Sequence, residues 1–172
     1  MVKTLLSAAR RHSFLLISAL IVNAAASADS ATDKAPVFTL PVLDGSKNVS
    51  LADYQGQVVY VDFWASWCGP CRKSLPFIEG VRADLKDQGF EVLAVNLDEE
   101  TAPAYDFLQQ HPLSFPILHD PSGDTPDSFG LRGMPTSYLI DRDGNIHSVH
   151  EGFRTADAEK IRAEITALVS KK

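Results

Sequence analysis

Val58-Val59-Tyr60-Val61-Asp62-Phe63-Trp64-Ala65-Ser66-Trp67-Cys68-Gly69-Pro70-Cys71 is the stretch that decides the fold. Val58, Val59, Val61 and Phe63 form the continuous, β-branched apolar run that a parallel strand buried on both faces requires, and it stops where Trp67-Cys68-Gly69-Pro70-Cys71 begins. A strand that delivers Cys-x-x-Cys to a helix start puts one sulfur among the unpaired N–H groups of the first turn and the other a turn further in. The Cys68 thiol is therefore expected to be acidic, with Cys71 within bonding reach of it. Thiolate is the attacking species in disulfide exchange, and lowering a thiol pKa from ~8.5 toward ~7 takes about 2 kcal/mol, much of which a helix N-terminus can supply. Gly69-Pro70 fits the same picture, because a proline in the first turn gives up an N–H that no helix bond would use.

Outward from this stretch, composition bounds the rest. The chain has 172 residues, 45% of them hydrophobic, which fits a single soluble domain with a sizeable core. Its formal charge is −6, and Lys3, Arg10 and Arg11 all fall in the first 28 residues, which hold no acid, so the remainder is more acidic still. Nothing basic is left to favour nucleic acid or an anionic membrane surface. Residues 1–28 read as a secretory signal peptide: the three bases precede an apolar block, Phe14 to Ala26, closed by Ala26-Ser27-Ala28. An uncleaved anchor with a basic flank is the alternative for this segment. Residues 29–35 are polar and small, a flexible lead-in, and 36–172 form the domain.

The chain has only two cysteines, Cys68 and Cys71. Exported proteins mostly use cysteines as staples across long loops. A loop of about four residues contributes only ~2 kcal/mol against ~4 to 5 for one of a hundred, so redox exchange explains this pair better than stapling. A half zinc site is the other reading, but tetrahedral zinc wants four ligands and no second Cys-x-x-Cys or spaced histidine pair exists.

Along the domain, Pro36 to Leu40 alternates like a strand, Asp44-Gly45 turns, and Val49 to Leu51 returns, giving an N-terminal hairpin. After the cysteines, Leu75, Ile78, Val81 and Leu85 share one face of a helix ending near Gly89 and kinked by Pro76. Phe90 to Asn96 is a second buried strand, Asp98-Glu99-Glu100 a solvated helix entry, and Ala102 to Gln110 a helix. A third strand covers Phe115 to Leu118, and one helical turn lies near Asp127 to Phe129. Met134 to Ile140 enters a strand that Asp143-Gly144 turns into an antiparallel partner, Ile146 to Gly152. Thr155 can cap a last helix whose buried face is Ala158, Ile161, Ile165 and Leu168. His111, His119, His147 and His150 read as surface residues, and Phe63 and Trp64 as core.

With these elements in order, the chain resembles the thioredoxin superfamily over about Pro36 to Leu168. Val61-Asp62-Phe63-Trp64-Ala65-Ser66-Trp67-Cys68-Gly69-Pro70-Cys71 carries that family's active-site signature, Pro76 falls where its first helix is kinked, and Gly133-Met134-Pro135-Thr136 looks like its cis-proline site. The leader, the N-terminal hairpin and the extra element from Asn96 to Leu118, with Phe115-Pro116-x-Leu118-x-Asp120, look like the TlpA-like branch of periplasmic thiol-disulfide proteins. The implied fold is α/β, a thioredoxin fold with a central mixed sheet flanked by helices, an N-terminal β-hairpin and a central βα insertion.

The resemblance also implies roles. Cys68 would be the nucleophile and Cys71 the resolving thiol. Asp62, at the position of the family's buried aspartate, would be a proton acceptor for Cys71, although the lysine that usually partners that acid aligns with Ala94. If strand alternation instead pointed Asp62 outward, it would be only a solvated residue. Trp67, Gly69, Pro70, Met134, Pro135 and the backbone near Gly152 would form a shallow client groove, with Pro135 cis. The redox-active disulfide needs no other cofactor and no metal. The expected activity is an exported protein-disulfide reductase, acting for example in cytochrome c maturation, monomeric, periplasmic, and regenerated by a membrane thiol-electron carrier. Two alternatives stand beside it. A thiol peroxidase is favoured by the likeness of the Asp53-Tyr54 region to peroxiredoxins, but its Thr-x-x-Cys site is not matched here. A copper or haem chaperone would use the thiols as ligands, but copper-handling relatives have wider cysteine spacing and a supporting histidine.

Overall fold

A computed structural model describes residues 33–171; the expected signal peptide and the first part of the lead-in lie outside them. The central strand is β3, Val58–Trp64, every residue of which is buried. It pairs in parallel with β4, Phe90–Asn96, and antiparallel with β6, Thr136–Ile140. Outside β4 lies β5, Ile117–His119, and outside β6 lies β7, Ile146–Glu151, giving the order β5-β4-β3-β6-β7. A separate hairpin of β1, Thr39–Pro41, and β2, Asn48–Ser50, lies against the β5 side, where Val42 bridges Leu118. The hairpin strands are shorter than the alternation indicated, because Leu51 begins a one-turn 3-10 helix that Ser50 caps.

Alternation along β3 sorts the core into two layers. Val58, Tyr60 and Trp64 share one face with Ala94 of β4 and Leu139 of β6. That face is covered by α1, Cys71–Leu85, through Leu75, Ile78 and Val81, and by α4, Ala158–Val169, through Ile161 and Ile165. Ala104 and Phe107 of α2, Thr101–Gln110, join the same layer. Val59, Val61 and Phe63 face the other way, against Phe38, Val49 and Phe129, the last just beyond the short α3, Asp124–Ser128. A run apolar at both parities is what burial on both faces demands, which is why β3 and β4 were legible from sequence.

Local differences have local causes. Helix α1 starts at Cys71, with Pro70 as its N-cap rather than inside the first turn; the Pro70 carbonyl accepts the first helical bonds from Lys73 and Ser74. Pro76 sits inside α1, as read. Thr155 does not cap α4: it opens a 3-10 turn that runs straight into the helix, and Asp157, the N-cap residue, makes no side-chain capping bond. Asp33 to Ala35, assigned to the lead-in, are tied to the β6–β7 turn by Ile146 N–H to Asp33 O and Ala35 N–H to Gly144 O.

Beyond β6, Arg142 ties together the segments that lead into β3 and β4 and the end of α4. Its guanidinium donates to the carbonyls of Gly56 (2.8 Å), Gln88 (3.1 Å), Val169 (3.0 Å) and Lys171 (3.3 Å). Gly89 is required beside it: its φ is +84°, and a Cβ there would come within 2.9 Å of the Arg142 Nη1.

Candidate active site

β3 ends at Trp64, and the four residues Ala65 to Cys68 turn the chain toward α1. Cys68 N–H is held by Ala65 O at 3.0 Å, and Cys71 N–H donates to the Cys68 Sγ at 3.3 Å. The Cys68 sulfur is thus the acceptor for an otherwise unpaired N–H at the start of α1. Cys68 and Cys71 form a disulfide with Cα atoms 5.3 Å apart, Cys68 nearly buried and Cys71 fully so. Beside them Trp67 is 70% exposed, an indole standing in solvent next to a buried disulfide.

The turn is braced by a residue the sequence reading placed in solvent. Asp98 is 5% exposed, and its carboxylate accepts from the Ser66 N–H (3.0 Å), the Ser66 hydroxyl (3.1 Å) and Asn96 Nδ2 (2.8 Å). The reason is topological: β3 and β4 are parallel and end in register, Trp64 beside Asn96, so the loops that follow them leave side by side. His119, also read as surface, is half-buried and bonds the Asp98 carbonyl at 2.8 Å. Arg72 holds the other side of the turn, donating to Ser66 O at 3.3 Å.

Asp62 is fully buried and points inward, so the solvated alternative fails. Its position alternates with Tyr60 and Trp64 on the face covered by α1, the helix that begins with Cys71. Beside it on β4 is Ala94, where no charge can neutralise it; beside it on β6 is Ser137, whose hydroxyl donates to Oδ1 at 2.6 Å. Oδ2 has no partner. Burial pushes the Asp62 carboxyl up to about 7, with the Ser137 bond pulling the other way. Ser137 was not singled out from sequence; a small polar residue in a strand carries no signal until the register is known.

Across from the disulfide loop, the Met134–Pro135 peptide bond is cis. Gly133, Met134, Pro135, Thr136 and Gly152 line a shallow depression with Arg132 and Glu151 at its edge. The Gly152 N–H is already engaged by Pro135 O at 2.7 Å, so Gly152 shapes this surface and keeps no free donor for a ligand. On the other flank Trp67 lines a second depression with Arg72 and Phe107. The more enclosed apolar cavity, between Ala35, Leu51, Tyr54 and Ile140, lies at the opposite end of β3 from Cys68. Among the described residues no cluster of three side chains is arranged to hold a metal ion.

A Cys-x-x-Cys disulfide at a strand-to-helix junction, on a five-stranded mixed sheet with a cis-proline loop, defines a thioredoxin-fold protein of dithiol-disulfide exchange. The chain belongs to the Redoxin family, whose model matches residues 30–165. Thiol-disulfide oxidoreductase ResA of Bacillus thuringiensis is 34% identical over 124 residues, covering 72% of this chain and 71% of the relative. The ResA of Halalkalibacterium halodurans is 35% identical over 125 residues, 73% of this chain and 70% of the relative. Among solved structures, a Chlorobium tepidum protein assigned as thiol:disulfide interchange protein DsbE is 50% identical, with a TM-score of 0.77 over 81% of this chain and 97% of its own. StoA of Bacillus subtilis is 29% identical, with a TM-score of 0.64 over 77% and 97%. The protein is a TlpA-like thiol-disulfide oxidoreductase, an enzyme of the thioredoxin superfamily.

Proposed function

We propose that this oxidoreductase is exported, acts in the periplasm, and reduces disulfides of client proteins, with apocytochromes awaiting haem attachment as the favoured client class. The observation that carries the residue roles is the Cys71 N–H bonded to the Cys68 sulfur, because the same donor and the helix end behind it stabilise a thiolate there. The Cys68 thiolate attacks a client disulfide, giving a mixed disulfide and one client thiolate. Cys71 then passes its proton to the Asp62 carboxylate, attacks the Cys68 sulfur, and expels the second client sulfur, which takes a proton. Two electrons have moved from the dithiol to the client.

An extended client segment lies between Trp67 on one flank and Met134 and Pro135 on the other, with Gly69 and Pro70 beside Cys68. Gly152 sets the rim. Resetting the enzyme requires a dithiol donor, for an exported protein a membrane thiol-electron carrier. Residues 1–28 serve export in this reading, and the domain takes in Asp33 to Ala35 together with the expected 36–172. Replacing Cys71 by Ser tests it: the mixed disulfide on Cys68 should accumulate and carry its client through purification. Recovery of no thiol protein from the periplasm by Cys71→Ser, with the Cys68→Ser control equally bare, would refute the client-reductase reading.

A further inference from the structure

Asp62, Ser137 and His150 occupy one row across three adjacent strands. Asp62 is paired with Ser137 between β3 and β6, and Ser137 with His150 between β6 and β7, so all three side chains rise from the same face. At the inner end, Asp62 has one oxygen bound to Ser137 and one with no partner; at the outer end, His150 Nδ1 is buried with no partner. The other ring nitrogen, His150 Nε2, lies 3.0 Å from Glu164 Oε2 on α4, at the edge of the sheet. A serine between two such neighbours has one hydroxyl proton and two lone pairs, and cross-strand Cβ atoms are about 5 Å apart, so a change of its staggered rotamer redirects Oγ from one side to the other.

We infer that Ser137 and His150 form a proton relay that connects the enclosed Asp62 carboxyl to solvent at Glu164. In the transfer, the protonated Asp62 gives its proton to Ser137 Oγ while the Ser137 hydroxyl proton passes to His150 Nδ1. The imidazolium is held by Glu164 and releases its Nε2 proton to water, leaving Asp62 ionised and Ser137 unchanged. The reverse sequence loads the carboxyl. Neither residue touches the sulfurs; both are positioning residues that act through Asp62, and the inference rests on the reading of Asp62 as the acceptor for Cys71.

The surroundings leave few competing groups. From β3 itself Tyr60 faces Asp62 and Ser137, its ring 6.0 Å from that of His150; burial and the Asp62 charge push its phenol up against the pull of the Ser137 hydroxyl, so it stays neutral. On this face β4 presents Ala94 and α1 presents Cys71 and Leu75, none of them a permanent charge. From β7 and α4 come His150, His147 and Glu164, with His147 Nε2 3.8 Å from Glu164. Burial opposes ionisation of Glu164, yet the neighbouring Ser148 and His150, with the charge of His147, leave its carboxyl below the usual range, ready to receive an imidazolium.

A relay matters when Asp62 begins protonated, since it must empty before it can accept from Cys71. The test uses the reduced full-length protein and Ellman's reagent, following by stopped flow the second thiolate released when Cys71 resolves the Cys68 adduct. His150→Gln, which leaves the Ser137–Asp62 bond intact, should give biphasic release near pH 6, with a slow phase about 10-fold below wild type, and a single wild-type phase near pH 9. Ser137→Ala should behave likewise with its profile moved to higher pH, and Ser137→Thr, which restores a hydroxyl, should recover the wild-type trace. Damage to packing alone would slow release at every pH. If Asp62→Asn slows the second release while His150→Gln is monophasic and within about twofold of wild type at all pH values, the relay is refuted and the role of Asp62 stands. If Asp62→Asn itself resolves at the wild-type rate, the acceptor reading falls and the relay with it.

Discussion

Replacing Asp62 by Asn is expected to stabilise the oxidised protein above neutral pH and to destabilise it in acid. In the folded chain the Asp62 carboxyl titrates at about 7 against an ordinary 3.8, because burial disfavours its charge and only the Ser137 hydroxyl compensates. Between those values the folded state holds a proton that the unfolded state has released, so stability falls as pH rises through the window. The cost is absent below pH 3.8 and fully present above about pH 7. At ~1.4 kcal/mol per unit it amounts to about 4 kcal/mol. Asn cannot ionise and escapes this cost, but its amide puts a donor where Oδ2 now lies without a partner. A buried, unpaired donor costs about 1–3 kcal/mol, so the variant should gain roughly 1–3 kcal/mol at about pH 8 and lose a similar amount near pH 4. Urea unfolding across this range measures the crossing, and the disulfide form is the one to use, since neither Cys68 nor Cys71 then titrates. A stability difference between variant and wild type that is the same at both ends of the range would refute the account of Asp62 as a buried, uncompensated carboxylate.

Asp98→Ala leaves the Ser66 N–H and Asn96 Nδ2 without their acceptor, and should cost about 2–4 kcal/mol by denaturant unfolding and slow attack by Cys68, because the turn that carries it loses its brace. Arg142→Ala removes donors from four carbonyls that are largely at the surface, so a loss of about 2 kcal/mol in thermal or urea unfolding is expected with exchange rates unchanged. Lysine at 142 should not restore that loss, since a single ammonium cannot span the planar fork. Trp67→Ala should leave both stability and Ellman's-reagent kinetics near wild type while weakening exchange with protein clients, because the indole is 70% exposed; equal losses toward both substrates would argue against a client groove.

What could be read from sequence was what depends on neighbours in the chain. Val58 to Trp64 and Phe90 to Asn96 declared themselves because strands buried on both faces must be apolar at both parities, and Cys68 and Cys71 because a three-residue spacing at a helix start favours dithiol-disulfide exchange over the other readings of the pair. Asp98 was misplaced because its burial is created by a different strand: only the parallel pairing of β3 and β4 brings its loop beneath Ser66. Thr155 had the composition of a cap, yet it opens a 3-10 turn in which its backbone carbonyl, not its hydroxyl, accepts the Ala158 N–H. Ser137 drew no notice and His150, read as a surface residue, is in fact largely buried; both go astray for the same reason as Asp98, since their meaning depends on β6 lying antiparallel to β3 and on a register fixed by tertiary packing.

The two cysteines therefore answer to different parts of the molecule. Cys68 is governed by the first turn of α1, a local device in which its sulfur accepts the Cys71 N–H; Cys71 lies in the core layer on the Asp62 face of the sheet, where that carboxyl has Ala94 of β4 and Ser137 of β6 beside it. With Ala94 on one side and Ser137 on the other, this chain holds its buried acid by a hydrogen bond where a lysine would hold it by charge. A hydroxyl lowers the carboxyl less than a cation would, which keeps Asp62 near neutrality and able to both take and release a proton at working pH. Changes in the turn from Ala65 to Pro70 should then act on the first attack, and changes along the sheet row on resolution. A lysine introduced at Ala94 would join the two regimes, lowering the Asp62 carboxyl and moving the pH dependence of the second step alone.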